Sequence, residues 1–153
     1  MKLSTKGRYA MVALADLALA RKDDLISLAE ISRRQDVSLP YLEQLFVKLR
    51  RAGLVEAVRG PGGGYRLARG PADIRVSEIL EAVEETVSAM HSGAGAHGGV
   101  SGSRAQSLSN RLWEGLSAHV YVFLHQTTLA DVIGNEMKPC PAVPALFRVV
   151  DEV

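Results

Sequence analysis

The sequence predicts a mainly α protein: a winged helix-turn-helix with a small β-hairpin wing and a long C-terminal helix suited to dimerisation. Three observations predict it. Residues 38–65, SLPYLEQLFVKLRRAGLVEAVRGPGGGY, hold a helical pattern, a glycine stop, a short alternating segment and a glycine turn. Just before them, Ser27-Leu-Ala-Glu30 has the form of a capping box, which starts a short helix ending near Arg34. Further on, Leu108, Leu112, Leu116, Val120 and Phe123 recur at near-heptad spacing over residues 104–126.

In the first of these runs, Ser38 suits an N-cap, and Pro40 is tolerated in a first turn whose amides lack helical partners. Leu39, Leu42, Phe46 and Leu49 form one apolar stripe. Tyr41, Gln44 and Lys48 point away from it, with Glu43 at its edge. Gly53 follows Arg50-Arg-Ala52, where a helix should stop. Residues 54–58 alternate as a half-buried strand does, residues 61–64 turn, and residues 65–67 return. Gln35-Asp-Val37 supplies the turn before the second helix.

Ahead of this unit, residues 2–20 read as a helix with Tyr9, Val12, Ala13, Leu17 and Ala20 near one stripe. Lys6 and Arg8 fall in its first turn, where the helix dipole does not favour cations. A phosphate partner would account for them, as would plain solvation. After the wing, residues 69–73 form a linker, and Val76, Ile79, Leu80 and Val83 make a short amphipathic helix. Residues 86–103 are rich in Gly, Ala and Ser, which bury too little to offset their ordering entropy, so a mobile loop is expected. The 104–126 helix, widened by Trp113 and Leu124, is too apolar for so small a chain to cover alone. A second copy is the expected partner, together with the first helix. Residues 128–137 predict one more short helix, and Pro139, Pro141 and Pro144 an extended tail. The expected organisation is therefore 1–75, 76–103, 104–137 and 138–153.

Charge divides along the chain. Residues 1–75 hold 14 Lys/Arg against 8 Asp/Glu, and residues 76–153 hold 4 against 9, so the halves carry +6 and −5 within a net +1. A basic front half suits one nucleic-acid face, although a solvated surface gives the same count. No apolar run reaches the roughly 20 residues that cross a bilayer. The start, MKLSTKGRY, lacks a signal peptide's apolar centre, and a single cysteine excludes an internal disulfide. The expected compartment is the cytoplasm, with no membrane partner.

The outward residues carry the chemistry of base and phosphate contact. Gln44 can pair with adenine, and Glu43 can accept from cytosine N4. A carboxylate facing phosphates otherwise repels them, so Glu43 reads as an element that rejects wrong sites, unless it pairs with Lys48 or Arg50. Ser38 and Tyr41 suit phosphate or base contacts, and Lys48, Arg50 and Arg51 suit the DNA backbone. In RGPGGGY, Gly62 and Gly63 thin the turn so that Arg59 can approach a minor groove closely. A nucleotide-binding loop would need Lys-Ser/Thr after the glycines, whereas Tyr65-Arg66 stand there. No catalytic constellation stands out, so enzyme function is not expected.

The chain resembles the IscR-like winged-helix regulators of bacteria, the iron–sulfur cluster regulator group. The matching runs are LSTKGRYA at 3–10, SLPYLEQLF at 38–46 and RGPGGGY at 59–65, with weaker similarity through VSEILEAVEE and LWEGL to about Asn135. The resemblance covers most of the chain. It implies a dimeric repressor of iron, iron–sulfur or redox genes on a pseudo-palindromic operator, with Lys6 and Arg8 on the DNA backbone and Arg59 in the minor groove. Cluster-binding members carry three cysteines before the long helix and a further ligand such as histidine. Here the loop MHSGAGAHGGVSGSRAQSLSN has no cysteine. Counting back from Trp113, Ser101 and Ser107 fall at the last two cysteine positions and Asn110 at the histidine position. Neutral serine and asparagine are poor ligands for cluster iron. Cys140, His91 and His97 remain as candidate metal ligands for an atypical [2Fe–2S] site. The alternatives are no cluster at all, with a small molecule, a protein or Cys140 oxidation as the signal.

Overall fold

A computed structural model of the chain describes residues 4–85 and 103–137. Helix α1 (Thr5–Leu19) leads into α2 (Leu28–Gln35) and α3 (Leu39–Arg51), then strands β1 (Val55–Val58) and β2 (Gly64–Leu67). A 3-10 turn at Pro71–Asp73 precedes α4 (Val76–Ala82), and α5 (Arg104–Gln126) and α6 (Leu129–Ile133) follow. The strands form an antiparallel hairpin in which Val55 faces Leu67 and Val58 faces Gly64. The long-helix bounds agree with the apolar period. The expected 128–137 helix is a shorter one, closed by Gly134 and a left-handed Asn135.

The core gathers Leu14, Ile31, Leu42, Phe46, Leu49, Leu54, Ile74, Ile79, Val83 and Leu129, all essentially inaccessible. Residues 76–83 and Leu129 thus complete the same core as the helix-turn-helix. Phe46 stacks edge-on against Tyr65 with ring centroids 4.8 Å apart, which joins α3 to the wing. The stripe on α3 is Leu42, Leu45, Phe46 and Leu49; Leu45 belongs to it, while Leu39 in the first turn is only half-buried. On α1 the buried arc is Gly7, Ala10, Ala13, Leu14 and Leu17. Val12, expected inside, is 40% exposed. The arc is rotated because α1 packs among α2, α3, α4 and α6, not against one neighbour.

Short polar contacts fix the angles between these helices. Asp16 on α1 accepts from Arg34 Nη2 at 2.5 Å and from Gln35 Nε2 at 2.9 Å, which ties α2 down. The Ser27 hydroxyl accepts from the Glu30 amide at 3.2 Å, the forward half of the expected capping box. At the turn, Asp36 takes a left-handed φ of 52°, which aspartate tolerates, and the Ser32 hydroxyl donates to the Val37 carbonyl at 2.6 Å.

Helix α5 contrasts with the rest, because none of its residues is buried. Its C-terminal end is anchored: the Val76 amide donates to the Thr127 carbonyl at 2.9 Å, and Arg75 Nη1 donates to the His125 carbonyl at 2.6 Å. It packs on α4, where α1 was the expected intrachain neighbour. Val120 and Leu124 are half-buried on that side, whereas Leu108, Leu112, Trp113, Leu116 and Phe123 stay exposed. Among the described residues, no helix is long and apolar enough to cross a membrane.

Candidate nucleic-acid interface

Helix α3 presents one polar face while its opposite face anchors the core. Glu43, Gln44, Arg50 and Arg51 are exposed. Glu43, Arg8, Arg50, Arg51 and Arg59 form no ion pair among the described residues. Glu43 is therefore not the partner of Lys48 or Arg50. Ser38 occupies the N-cap position but makes no side-chain cap bond, and it is exposed. Its hydroxyl faces solvent, where the sequence suggested a cap. Tyr41, expected to face outward, is half-buried and meets Tyr9 edge-on at 5.7 Å. That contact sets α3 against α1 and still leaves part of the ring accessible.

The wing tip is shaped by its glycines. Gly60 and Gly62 have φ of 104° and 72°, a region costly for any side chain. A Cβ on Gly63 would collide with the Val58 carbonyl oxygen, so that position is fixed by the hairpin's own backbone. The Gly63 amide donates to the Gly60 carbonyl at 2.9 Å and closes the turn. Arg59 stands exposed beside it. The base of the wing is held by Ile26, whose amide and carbonyl bond the Tyr65 carbonyl and amide at 3.0 and 2.8 Å. Gly64 is required there, because a Cβ would lie 2.8 Å from Ile26 backbone atoms.

The first turn of α1 joins this face through α4. The Glu85 carboxylate accepts from the Ser4 hydroxyl, from the Ser4 amide at 3.3 Å and from the Gly7 amide at 3.2 Å. Burial pushes the Glu85 carboxyl up, but the Ser4 and Gly7 donors and the Lys6 charge together hold it below the usual carboxylate range. A Cβ on Gly7 would come within 2.9 Å of Glu85 Oε2, so the glycine in LSTKGRYA admits that carboxylate. Lys6 Nζ donates to the Glu84 carbonyl at 2.7 Å, and Lys48 Nζ pairs with Glu84 Oε2 at 2.5 Å. The hydrogen bond and charge of Lys48 lower the Glu84 carboxyl in turn.

Sequence reading missed two features of this face. Val47 is 43% exposed on α3, four residues after Glu43 and three after Gln44, so it shares their face. Its position outside the apolar stripe was the available signal. The contacts of Glu84 and Glu85 reach 36 to 81 residues along the chain, which no local pattern reveals.

Among the described residues there is no group of three or more His, Cys, Asp or Glu side chains able to hold a metal. Cys140, His91, His97 and Ser101 lie outside the described residues. Ser107 is exposed and Asn110 half-buried in the first turns of α5. A hydroxyl and an amide there do not fit a thiolate-ligated cluster.

The family model for Rrf2, an iron-dependent transcriptional regulator, matches residues 3–135. The chain belongs to the Rrf2 family. It is 84% identical over 154 residues to the HTH-type transcriptional regulator IscR of Cereibacter sphaeroides, covering 99% of each chain. Against the protein of the same description from Photobacterium profundum it is 47% identical over 135 residues, 87% of this chain and 76% of that one. Among solved structures it is similar to T. potens IscR, with a TM-score of 0.69 at 36% identity over 89% and 88% of the two chains. It is also similar to CymR, the global cysteine regulator of B. subtilis, with a TM-score of 0.72 at 32% identity over 88% and 98%. The chain is a winged-helix, DNA-binding transcription regulator of the IscR-like group, and not an enzyme.

Proposed function

We propose that the protein binds a pseudo-palindromic operator in the cytoplasm as a two-fold dimer, with one α3 in each major-groove half-site, and represses genes of iron, iron–sulfur or redox metabolism. The observation that carries this reading is the joint presentation of an unpaired Glu43, Gln44, Arg50 and Arg51 on α3 with Arg59 at the tip of the adjoining wing. Gln44 and Glu43 read base edges, and Val47 offers an apolar contact to a thymine methyl. Ser38, Tyr41, Lys6, Arg8, Lys48, Arg50 and Arg51 follow the phosphates. Arg59 enters the minor groove, with Gly62 and Gly63 keeping the tip thin. The supports for the dimer are the uncovered apolar side chains of α5.

Operator titration at fixed salt with the Arg59→Ala variant tests the site. A loss of about 1–3 kcal/mol is expected, the scale of one good base contact. Unchanged affinity removes Arg59 from the interface. Selection from random DNA with Glu43→Ala should return a broader set of sequences than wild type, and an identical set would contradict the discriminating role.

For the effector, we propose an iron–sulfur cluster with atypical ligation that uses Cys140, the only thiol in the chain, with His91 and His97 as candidate imidazole ligands. Such a group would supply the iron signal. Anaerobic reconstitution of wild type and Cys140→Ser, with iron and sulfide measured, decides this. Equal content in both proteins, or none in either, rules the site out and leaves a regulator that responds to a small molecule, a protein or thiol oxidation.

A further inference from the structure

One residue at the end of α4 gathers two cations from the proposed DNA face. Glu84 Oε2 accepts from Lys48 Nζ on α3 at 2.5 Å, and the Glu84 carbonyl accepts from Lys6 Nζ on α1 at 2.7 Å. The Glu84 side chain is 74% exposed, so packing does not dictate its position. The backbone there is unusual as well. Glu84 has φ of 58°, in the left-handed region. It closes α4, with the Glu85 amide donating to the Leu80 carbonyl at 2.9 Å and the Glu84 amide to the Glu81 carbonyl at 3.0 Å. Glycine is the residue best suited to such a helix end. The other non-glycine residues with positive φ among those described are Asp36 and Asn135, types that tolerate it. Glutamate here keeps a disfavoured backbone and places a carboxylate on Lys48, and strain of this kind is characteristic of functional positions.

We propose that Glu84 is an intramolecular stand-in for a DNA phosphate: it holds Lys48 in the free protein, yields it to the duplex backbone on binding, and so sets the affinity and salt dependence of that binding. The inference rests on the reading of α3 as the DNA-facing helix. The chemistry is matched, because a carboxylate and a phosphodiester each carry one negative charge and accept from an ammonium group. Exchange is easy, since an exposed ion pair holds its partners weakly. Every duplex presents phosphates, so the effect is independent of sequence and lowers binding everywhere. Glu84 is a positioning residue that acts through Lys48 and touches no base.

A double-mutant cycle tests it: wild type, Glu84→Gln, Lys48→Gln and the double variant, each titrated with one duplex at several salt concentrations. Glu84→Gln should bind about 1.5- to 5-fold tighter per half-site, the worth of an exposed ion pair. The slope of log affinity against log salt should steepen, but by less than the roughly 0.9 of a whole phosphate contact, because Lys48 reaches a phosphate in both proteins and salt screens only the competing ion pair. Lys48→Gln should cost more in the Glu84→Gln background than in wild type. Glu84→Gly should tighten binding as Gln does, while also raising Tm by relieving the backbone. Unchanged or weaker binding by Glu84→Gln, equal Lys48→Gln losses in both backgrounds, or tightening by Gly without Gln would overturn the proposal. If Lys48→Gln leaves binding unchanged in both backgrounds, the reading of Lys48 as a phosphate contact fails, and the inference fails with it.

Discussion

Helices α3 and α5 are both amphipathic, yet they are completed in different ways. On α3, Leu42, Leu45, Phe46 and Leu49 are buried by the chain's own core, and the polar face is left for a ligand. On α5, 23 residues long, no residue is buried, and Leu112 is 62% exposed although the stripe it belongs to is the more regular of the two. Each large apolar side chain left in water forgoes about 1.5–3 kcal/mol. One helix is thus stabilised within the protomer and displays chemistry outward, while the other displays its apolar face, which the proposed second copy would cover. The DNA-binding part therefore folds on intrachain contacts, and in the proposed dimer α5 would set the spacing of two such parts.

Substitutions on the two helices should separate these roles. The largest effect is expected from Phe46→Ala. This side chain is fully buried and stacks on Tyr65, so its loss should cost about 3–5 kcal/mol of folding stability. Urea unfolding measures it, and a change below about 1 kcal/mol would show a core looser than the packing implies. Leu116→Glu should leave protomer secondary structure intact by circular dichroism while breaking the proposed dimer, because it would put like charges close to the two-fold axis of that dimer in a poorly solvated setting. Operator affinity should fall with it. A Leu116→Glu protein that remains dimeric would show that α5 pairs through another face.

The smallest effect concerns the junction where residues 84 and 85 meet α1 and α3. The folded-state pKa of Glu85 is depressed, so its stabilising contribution is present above the unfolded carboxylate pKa and is lost as pH falls through the folded value. Glu85→Gln keeps the shape without the charge. It should flatten the acid limb of the stability–pH curve by lowering stability at neutral pH, and leave stability below the folded pKa little changed. An acid limb identical to wild type would assign that dependence to other carboxylates, such as Glu78, which the Arg75 amide and Arg69 also hold below the usual range.

Much of the fold was legible because its signals are local. The Ser27 cap, the glycines of the wing and the apolar period of residues 104–126 each act within a few residues. The outward face of α3 followed from the same periodicity. What the sequence hid is long-range. Leu14 is buried and Val12 is not because four helices surround α1, a fact without a local signature. The Ser38 hydroxyl left uncapped and the Tyr41 ring held by Tyr9 depend on how α1 and α3 meet. The carboxylates of Glu84 and Glu85 acquire their roles only once α4 closes against both helices.

Sedimentation equilibrium of the wild-type protein across micromolar concentrations tests most directly whether a second copy covers α5. A mass twice that of the 16.5 kDa chain, converting to the single mass in Leu116→Glu, is the predicted result. A folded wild-type monomer that binds the operator at those concentrations would contradict it.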